Sequence, residues 1–224
     1  SILFNITENV AYIKLNRPKA FNSFNRQQAL DLLQKLQHCS ENETIRAVVL
    51  TGSGRAFCAG QDLVEVTEDN GIDFETILKE HYNPIIRAIR ALEKPVIAAV
   101  NGVAAGAGAN IAFCCDFTVA SESAIFTQAF SKIGLVPDSG GTLILPRLVG
   151  LQRATAMMML SSKITAKEAV EIGLIYQSVA DDALEQVVQA LASKLAKMPT
   201  KALGMTKKLI NAGLYNTLDE QLET

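Results

Sequence analysis

The run from Asn101 to Asp116, NGVAAGAGANIAFCCD, constrains the fold of this chain more than any other stretch. Gly102, Gly106 and Gly108 are interspersed with Ala104, Ala105, Ala107 and Ala109 before an apolar segment begins. Just upstream, Pro95-Val96-Ile97-Ala98-Ala99-Val100 is a proline-opened β-branched run that reads as a buried strand. Strand, small-residue turn and helix in that order leave backbone N–H groups unpaired at a helix start, at the positive end of its dipole. An oxygen that becomes anionic during a reaction is stabilised there. Tight helix–strand packing selects the same small residues, and on this stretch alone the two readings stand side by side.

The 224 residues suffice for one large domain with a substantial core. A net charge of -2 and a pI near 5.8 supply no basic stripe for nucleic acid. Cys39, Cys58, Cys114 and Cys115 lack disulfide or metal-ligand spacing, and adjacent cysteines do not close an ordinary bridge. SILFNITENV lacks a signal-peptide layout, and no apolar run reaches membrane-spanning length. The expectation is a soluble, cytoplasmic protein with reduced thiols, no nucleic-acid partner and no membrane partner.

Strands are expected at Ile2–Phe4, Val10–Leu15, Ile45–Thr51, Val96–Val100, Phe117–Ala120, Ala124–Phe126 and Leu174–Val179. Helices are expected at Gln27–Cys39, with Leu30, Leu33 and Leu36 facing inward, and at Phe74–Leu92, with Ile77, Ile85, Ile86 and Ile89 on one face. Glu65–Asp73 reads as a mobile polar loop over a site. Alternating strands and helices argue an α/β architecture with a mainly parallel sheet. After about Gly150 the pattern is almost entirely helical. The expected division is therefore a core over 1–150 and a helical region over 151–224.

A second small-residue turn, Phe57-Cys58-Ala59-Gly60, precedes Gln61. Ligands of α/β sheets bind beyond the carboxyl ends of the strands. Were both turns to meet there, the Gln61 and Ala107 N–H groups would point at one carbonyl oxygen. A third candidate is Asp138, between Pro137 and a Ser-Gly-Gly helix start in the apolar segment IGLVPDSGG. It reads either as a helix N-cap or as a general base with its pKa pushed toward neutrality. His38 and His81 sit beside no nucleophile motif and read as surface or pocket-rim residues. GAGAN is not a dinucleotide fingerprint, which needs glycine where Ile111 stands. Met157-Met158-Met159 reads as core or subunit-contact packing.

Four segments resemble the enoyl-CoA hydratase/isomerase, or crotonase, superfamily: LNRPKAFNSF, FCAGQDL, PVIAAVNGVAAGAGANIA and FSKIGLVPDSGGTLILPRLVG. The resemblance implies a crotonase (ClpP-like) fold of repeated ββα units, then a helical region that drives trimers, often dimers of trimers. It implies an acyl-CoA thioester substrate, with coenzyme A as part of the substrate and no separate cofactor or metal. It puts the oxyanion donors on the Gln61 and Ala107 N–H groups. It also implies a substrate surface formed by Arg17, Ala20, Ala59, Asp62, Leu63, Tyr82, Asn110, Phe130 and Pro137. A further helix beyond Thr224 is implied, closing over the site.

Hydratases of this superfamily carry two glutamates around the attacking water, and the matching positions here hold Asn110 and Phe130. Asp138 is the acid that remains. The pattern is similar to the isomerase branch, above all to the part acting on ring-epoxidised phenylacetyl-CoA in phenylacetate degradation. That similarity implies relocation of a double bond from Δ3 to Δ2, or epoxide rearrangement to an oxepin, with Asp138 as base. An enoyl-CoA hydratase, or a non-catalytic acyl-CoA-binding partner subunit, are the alternative readings.

Overall fold

The computed structural model describes residues 1–67 and 73–224. Its first strands, β1 (Ile2–Thr7) and β2 (Val10–Leu15), form a hairpin closed by Glu8 and Asn9. Both turn residues have positive φ, 50° and 66°, the twist that joins two strands in two residues. Helix α1 (Arg26–Glu41) starts at Asn25, whose side chain accepts from the Gln28 N–H. Its buried stripe is Ala29, Leu32, Leu36 and Cys39. Leu30 and Leu33, expected on that stripe, are half-buried at its edge, because the 29-32-36-39 spacing is the one that follows the helical repeat.

The next strands alternate between two sheets. β3 (Ala47–Gly52), β5 (Val96–Val100) and β7 (Phe117–Ser121) extend the first hairpin in parallel. β4 (Ala56–Cys58), β6 (Val103–Ala105) and β8 (Ile125–Thr127) pair in parallel in a second sheet. The polypeptide therefore passes repeatedly from large sheet to small sheet to helix, the ββα unit that the family resemblance implies. Between β4 and β5 lie helix α2 (Leu63–Thr67), helix α3 (Phe74–Ile77), a π-helical turn (Leu78–Tyr82) and helix α4 (Asn83–Ala91). Of the loop expected over Glu65–Asp73, residues 68–72 lie outside the described residues; Glu65 belongs to α2 and Asp73 caps α3.

Helix α5 (Ala107–Cys114) follows β6, and α6 (Gly141–Val149) and α7 (Leu151–Leu160) follow β8. The later chain is not purely helical. β9 (Ile164–Thr165) joins the small sheet antiparallel to β8, helix α8 (Ala166–Glu171) follows, and β10 (Gln177–Val179) joins the large sheet beside β7. Helix α9 (Leu184–Lys197) lies across the outer face of the large sheet, and α10 (Thr200–Ala212) and α11 (Leu218–Leu222) complete the described fold.

Both faces of the large sheet are buried at its central strands β3, β5 and β7, which read as nearly continuous apolar runs. Along β3 and β5 the side chains alternate: Val48, Leu50, Val96, Ala98 and Val100 join the core under α1, α4 and α5. Ala47, Val49, Ile97 and Ala99 pack with Leu184, Val188, Ala192 and Leu195 of α9. Each fully buried aliphatic side chain contributes about 1.5–3 kcal/mol, enough to fix α9 in place. Lys207 on α10 is anchored by Asp116 at 2.9 Å and by the Ile89 carbonyl at 2.6 Å. All four cysteines are unpaired and buried. Among the described residues no helix is long and apolar enough to cross a membrane.

Candidate active site

The two small-residue turns meet at the carboxyl ends of the small sheet. Gly60 has φ +91°, and a Cβ placed there would lie 3.6 Å from the Ala107 nitrogen and 3.0 Å from the Ala105 oxygen. Only a glycine gives the chain both that conformation and that approach. Gly108 is packed equally hard: an added Cβ would stand 2.5 Å from the Cys58 carbonyl oxygen. The packing reading of the glycine-alanine run therefore holds, and the geometry is compatible with the oxyanion reading. The packing brings the turns together, and the turns leave donors free.

Those donors are set by hydrogen bonding on either side. Phe24 accepts from the Asp62 N–H at 2.8 Å and donates to the Gly60 carbonyl at 2.7 Å. This parallel bridge pins the residues flanking Gln61, so the Gln61 N–H points away from Phe24 and finds no acceptor among the described residues. Ala107 is the first residue of α5, behind Gly106 at φ 52° and ψ -127°, and its N–H is likewise without an acceptor there.

Asp138 does not cap a helix. Gly140 occupies the N-cap of α6, with no side-chain cap bond. The Asp138 Oδ1 accepts instead from the Ser139 hydroxyl at 2.8 Å. Burial pushes its carboxyl up to about 6, against the opposing pull of the Ser139 bond. The tight turn is held from below: the Asp138 carbonyl accepts from Asn110 Nδ2 at 2.9 Å, and Asn110 Oδ1 accepts from Gln128 Nε2 at 3.0 Å.

The remaining expected residues divide. Arg17 is half-buried, donating to Asp62 Oδ2 at 2.7 Å and to the Ser23 carbonyl at 2.6 Å. Ala20 ends a short 3-10 turn, Pro18–Ala20, beside Ala59, whose N–H donates to the Phe21 carbonyl. Ala59 and Leu63 are exposed, and Pro137 is half-buried. Phe130 is buried against the Gly106 turn, 3.5 Å from where a Cβ would stand. Asn110 differs from expectation. It is 1% exposed with its amide committed to Asp138 and Gln128, so it forms the wall of the site rather than a substrate contact.

Tyr82 is buried too, its hydroxyl donating to Gln61 Oε1 at 2.9 Å. His81, read as a surface or pocket-rim residue, is also buried; among the described residues both its ring nitrogens lack partners, and burial pushes its pKa down. His81 stands four residues after Ile77 and four before Ile85, on the buried face, and both it and Tyr82 lie in the π-helical turn. His38 is exposed as expected. Gln128, Ser139 and Phe24 escaped sequence reasoning, since each acts through a partner distant in sequence or through a single hydroxyl in a glycine-rich turn.

A family model described as enoyl-CoA hydratase/isomerase matches residues 5–224. The chain belongs to the enoyl-CoA hydratase/isomerase family. Over 225 residues it is 45% identical to the 1,2-epoxyphenylacetyl-CoA isomerase of Escherichia coli K12, covering 99% of this chain and 86% of that protein. It is 47% identical over 222 residues to a Rhodobacter capsulatus protein named "probable enoyl-CoA hydratase", covering 99% and 85%. The crystal structure of an enoyl-CoA hydratase from Mycobacterium smegmatis superposes with a TM-score of 0.92 at 32% identity, covering 99% of this chain and 86% of that one. The chain is thus an enzyme of the enoyl-CoA hydratase/isomerase family with the crotonase fold. Relatives carry both isomerase and hydratase names, so the choice between those reactions rests on the site.

Proposed function

We propose that the chain is an acyl-CoA isomerase that moves a double bond from Δ3 to Δ2, with Asp138 as its base. The observation that carries this reading is the half-buried Asp138 carboxyl, raised toward neutrality, in a site whose walls at positions 110 and 130 are a committed amide and a phenyl ring. The Gln61 and Ala107 N–H groups polarise the thioester carbonyl and acidify C2. Asp138 removes a proton from C2, and the electron pair moves onto the carbonyl oxygen as a dienolate. The same carboxyl returns the proton at C4, which leaves the double bond between C2 and C3. Nothing is consumed, so one base suffices and no cofactor enters. Loss of one such donor typically costs about 2.7–4 kcal/mol of barrier, which makes the pair the larger share of the rate enhancement.

The kinship to the E. coli isomerase supports a ring-epoxidised phenylacetyl-CoA substrate, rearranged to the oxepin through the same enolate-stabilising amides. Arg17, Ala20, Ala59, Asp62, Leu63 and Pro137 would line the thioester's approach. Exposed Leu151, Met159 and Leu160 on α7 support a trimer or dimer of trimers built on the region after residue 150. Four unpaired thiols support a reducing, cytoplasmic setting.

The test is a panel comparing a linear 3-enoyl-CoA, ring-epoxidised phenylacetyl-CoA and a trans-2-enoyl-CoA. Isomerisation of either of the first two, lost in Asp138→Asn with acyl-CoA binding retained, is the expected result. Undiminished turnover in that variant overturns the assignment. Formation of 3-hydroxyacyl-CoA from the trans-2-enoyl-CoA as the dominant reaction favours the hydratase reading, which the R. capsulatus relative's name supports.

A further inference from the structure

Tyr82 is coupled to Gln61 by two independent routes. Its ring meets the Phe24 ring edge-on, with centroids 5.8 Å apart at 79°, and Phe24 is the residue whose backbone brackets Gln61. Its hydroxyl donates to Gln61 Oε1 at 2.9 Å. The other end of the same side-chain amide donates to Glu65 Oε2 at 3.0 Å, and Glu65 Oε1 accepts from the Arg26 N–H at 2.8 Å. The Gln61 side chain is therefore stretched between the π-helical turn on one side and α2 with the start of α1 on the other. Burial keeps the Tyr82 phenol protonated, hence a permanent donor.

We propose that Tyr82 is a positioning residue for the reaction: through the Gln61 side chain it fixes the rotation of the Gln61 peptide, and so the aim of the Gln61 N–H at the thioester oxygen. This rests on the two-amide reading of the site given above. The Phe24 bond to the Gly60 carbonyl grips one edge of the peptide that carries the Gln61 N–H, but a plane held by a single hydrogen bond still swings about it. The side-chain strut removes that freedom. The hydroxyl is already spent on Gln61, so its role is to aim a donor rather than to move a proton. Oxyanion donors act within a few tenths of an ångström, and misplacement by about 1 Å can cost a hundredfold. The hydroxyl is presented by the last residue of the π-helical turn Leu78–Tyr82.

The test combines kinetics with infrared spectroscopy of a bound, non-reacting saturated acyl-CoA carrying a labelled thioester carbonyl. Tyr82→Phe keeps the ring on Phe24 and removes only the hydroxyl. It is expected to lower kcat by between about tenfold and a hundredfold with KM changed less than about twofold. The carbonyl band, displaced on binding to the parent protein, is expected to return toward its free-solution position. Gln61→Met, at a half-exposed side chain of similar length, is expected to reproduce both effects. The double variant is expected to be no worse than either single one. A displaced band and an undiminished kcat in Tyr82→Phe overturn the proposal alone, as do multiplied losses in the double variant. A parent protein that binds acyl-CoA without displacing the band overturns the two-amide reading and the proposal with it.

Discussion

The Asn110 side-chain amide donates to the Asp138 carbonyl at 2.9 Å while its oxygen accepts from Gln128 at 3.0 Å. One buried side chain thus helps hold the turn that presents the proposed base. Gly141 makes room for it, since a Cβ there would stand 2.5 Å from Asn110 Nδ2. Asn110→Ala leaves the Asp138 carbonyl with only its Gly141 N–H bond and strands the Gln128 amide in the interior. We expect a loss of about 1–3 kcal/mol in urea unfolding, with a fall in kcat larger than the change in KM. A variant as stable and as fast as the parent refutes this bracing role.

The Asp138 carboxyl must be ionised to take a proton, and burial places its pKa at about 6. The rate kcat/KM is therefore expected to fall as the pH drops through about 6 and to level off above it. Ser139 donates to that carboxylate and lowers its pKa. Ser139→Ala is expected to shift the acid limb of the profile to higher pH. A shift in the opposite direction contradicts the bond's assigned effect.

Stability should run against activity at the same residue. A folded-state pKa above the unfolded value of 3.8 means the native protein holds this proton more tightly. The resulting stability is present in full below 3.8 and is lost as the pH rises through about 6. Asp138→Asn, which cannot ionise, is expected to melt higher than the parent at pH 7, with the advantage shrinking toward pH 4. Differential scanning at both pH values checks the trend.

Gly108→Ala is the test of how closely the turns are packed. The added methyl meets the Cys58 carbonyl at 2.5 Å and Sγ at 2.7 Å, and the carbonyl belongs to β4 and has nowhere to go. We expect about 1–3 kcal/mol of destabilisation and a kcat loss beyond what stability explains, as the Ala107 N–H moves off target. Thermal melts and turnover on the purified variant measure both.

Much of the fold was legible because its signals are local. The β-branched runs before Gly52 and before Asn101 became parallel strands, and the glycines at 60, 106 and 108 marked the close approach of two turns. Asp138 stood out as an acid in an apolar segment. What the sequence left open, or pointed the wrong way on, depends on distant partners. The Asn110 amide reads as a substrate contact until the Asp138 carbonyl and Gln128 are seen against it. His81 reads as a surface or pocket-rim residue from its polar Glu80-His81-Tyr82 run, although it stands four residues from both Ile77 and Ile85, on the face that is buried. The inner stripe of α1 was misplaced by one residue for a simpler reason: leucines at 30, 32, 33 and 36 satisfy two neighbouring helical faces at once.

Phe24 clasps Gly60 and Asp62 from the far side of α1, and Ala107 reaches the same point only after β5 and β6 are laid down. On the two-amide reading, a polypeptide still leaving the ribosome has no grip on a thioester until β5 and β6 are in place. Regained turnover after dilution from denaturant reports finished topology, not early collapse, and should lag every spectroscopic sign of helix formation.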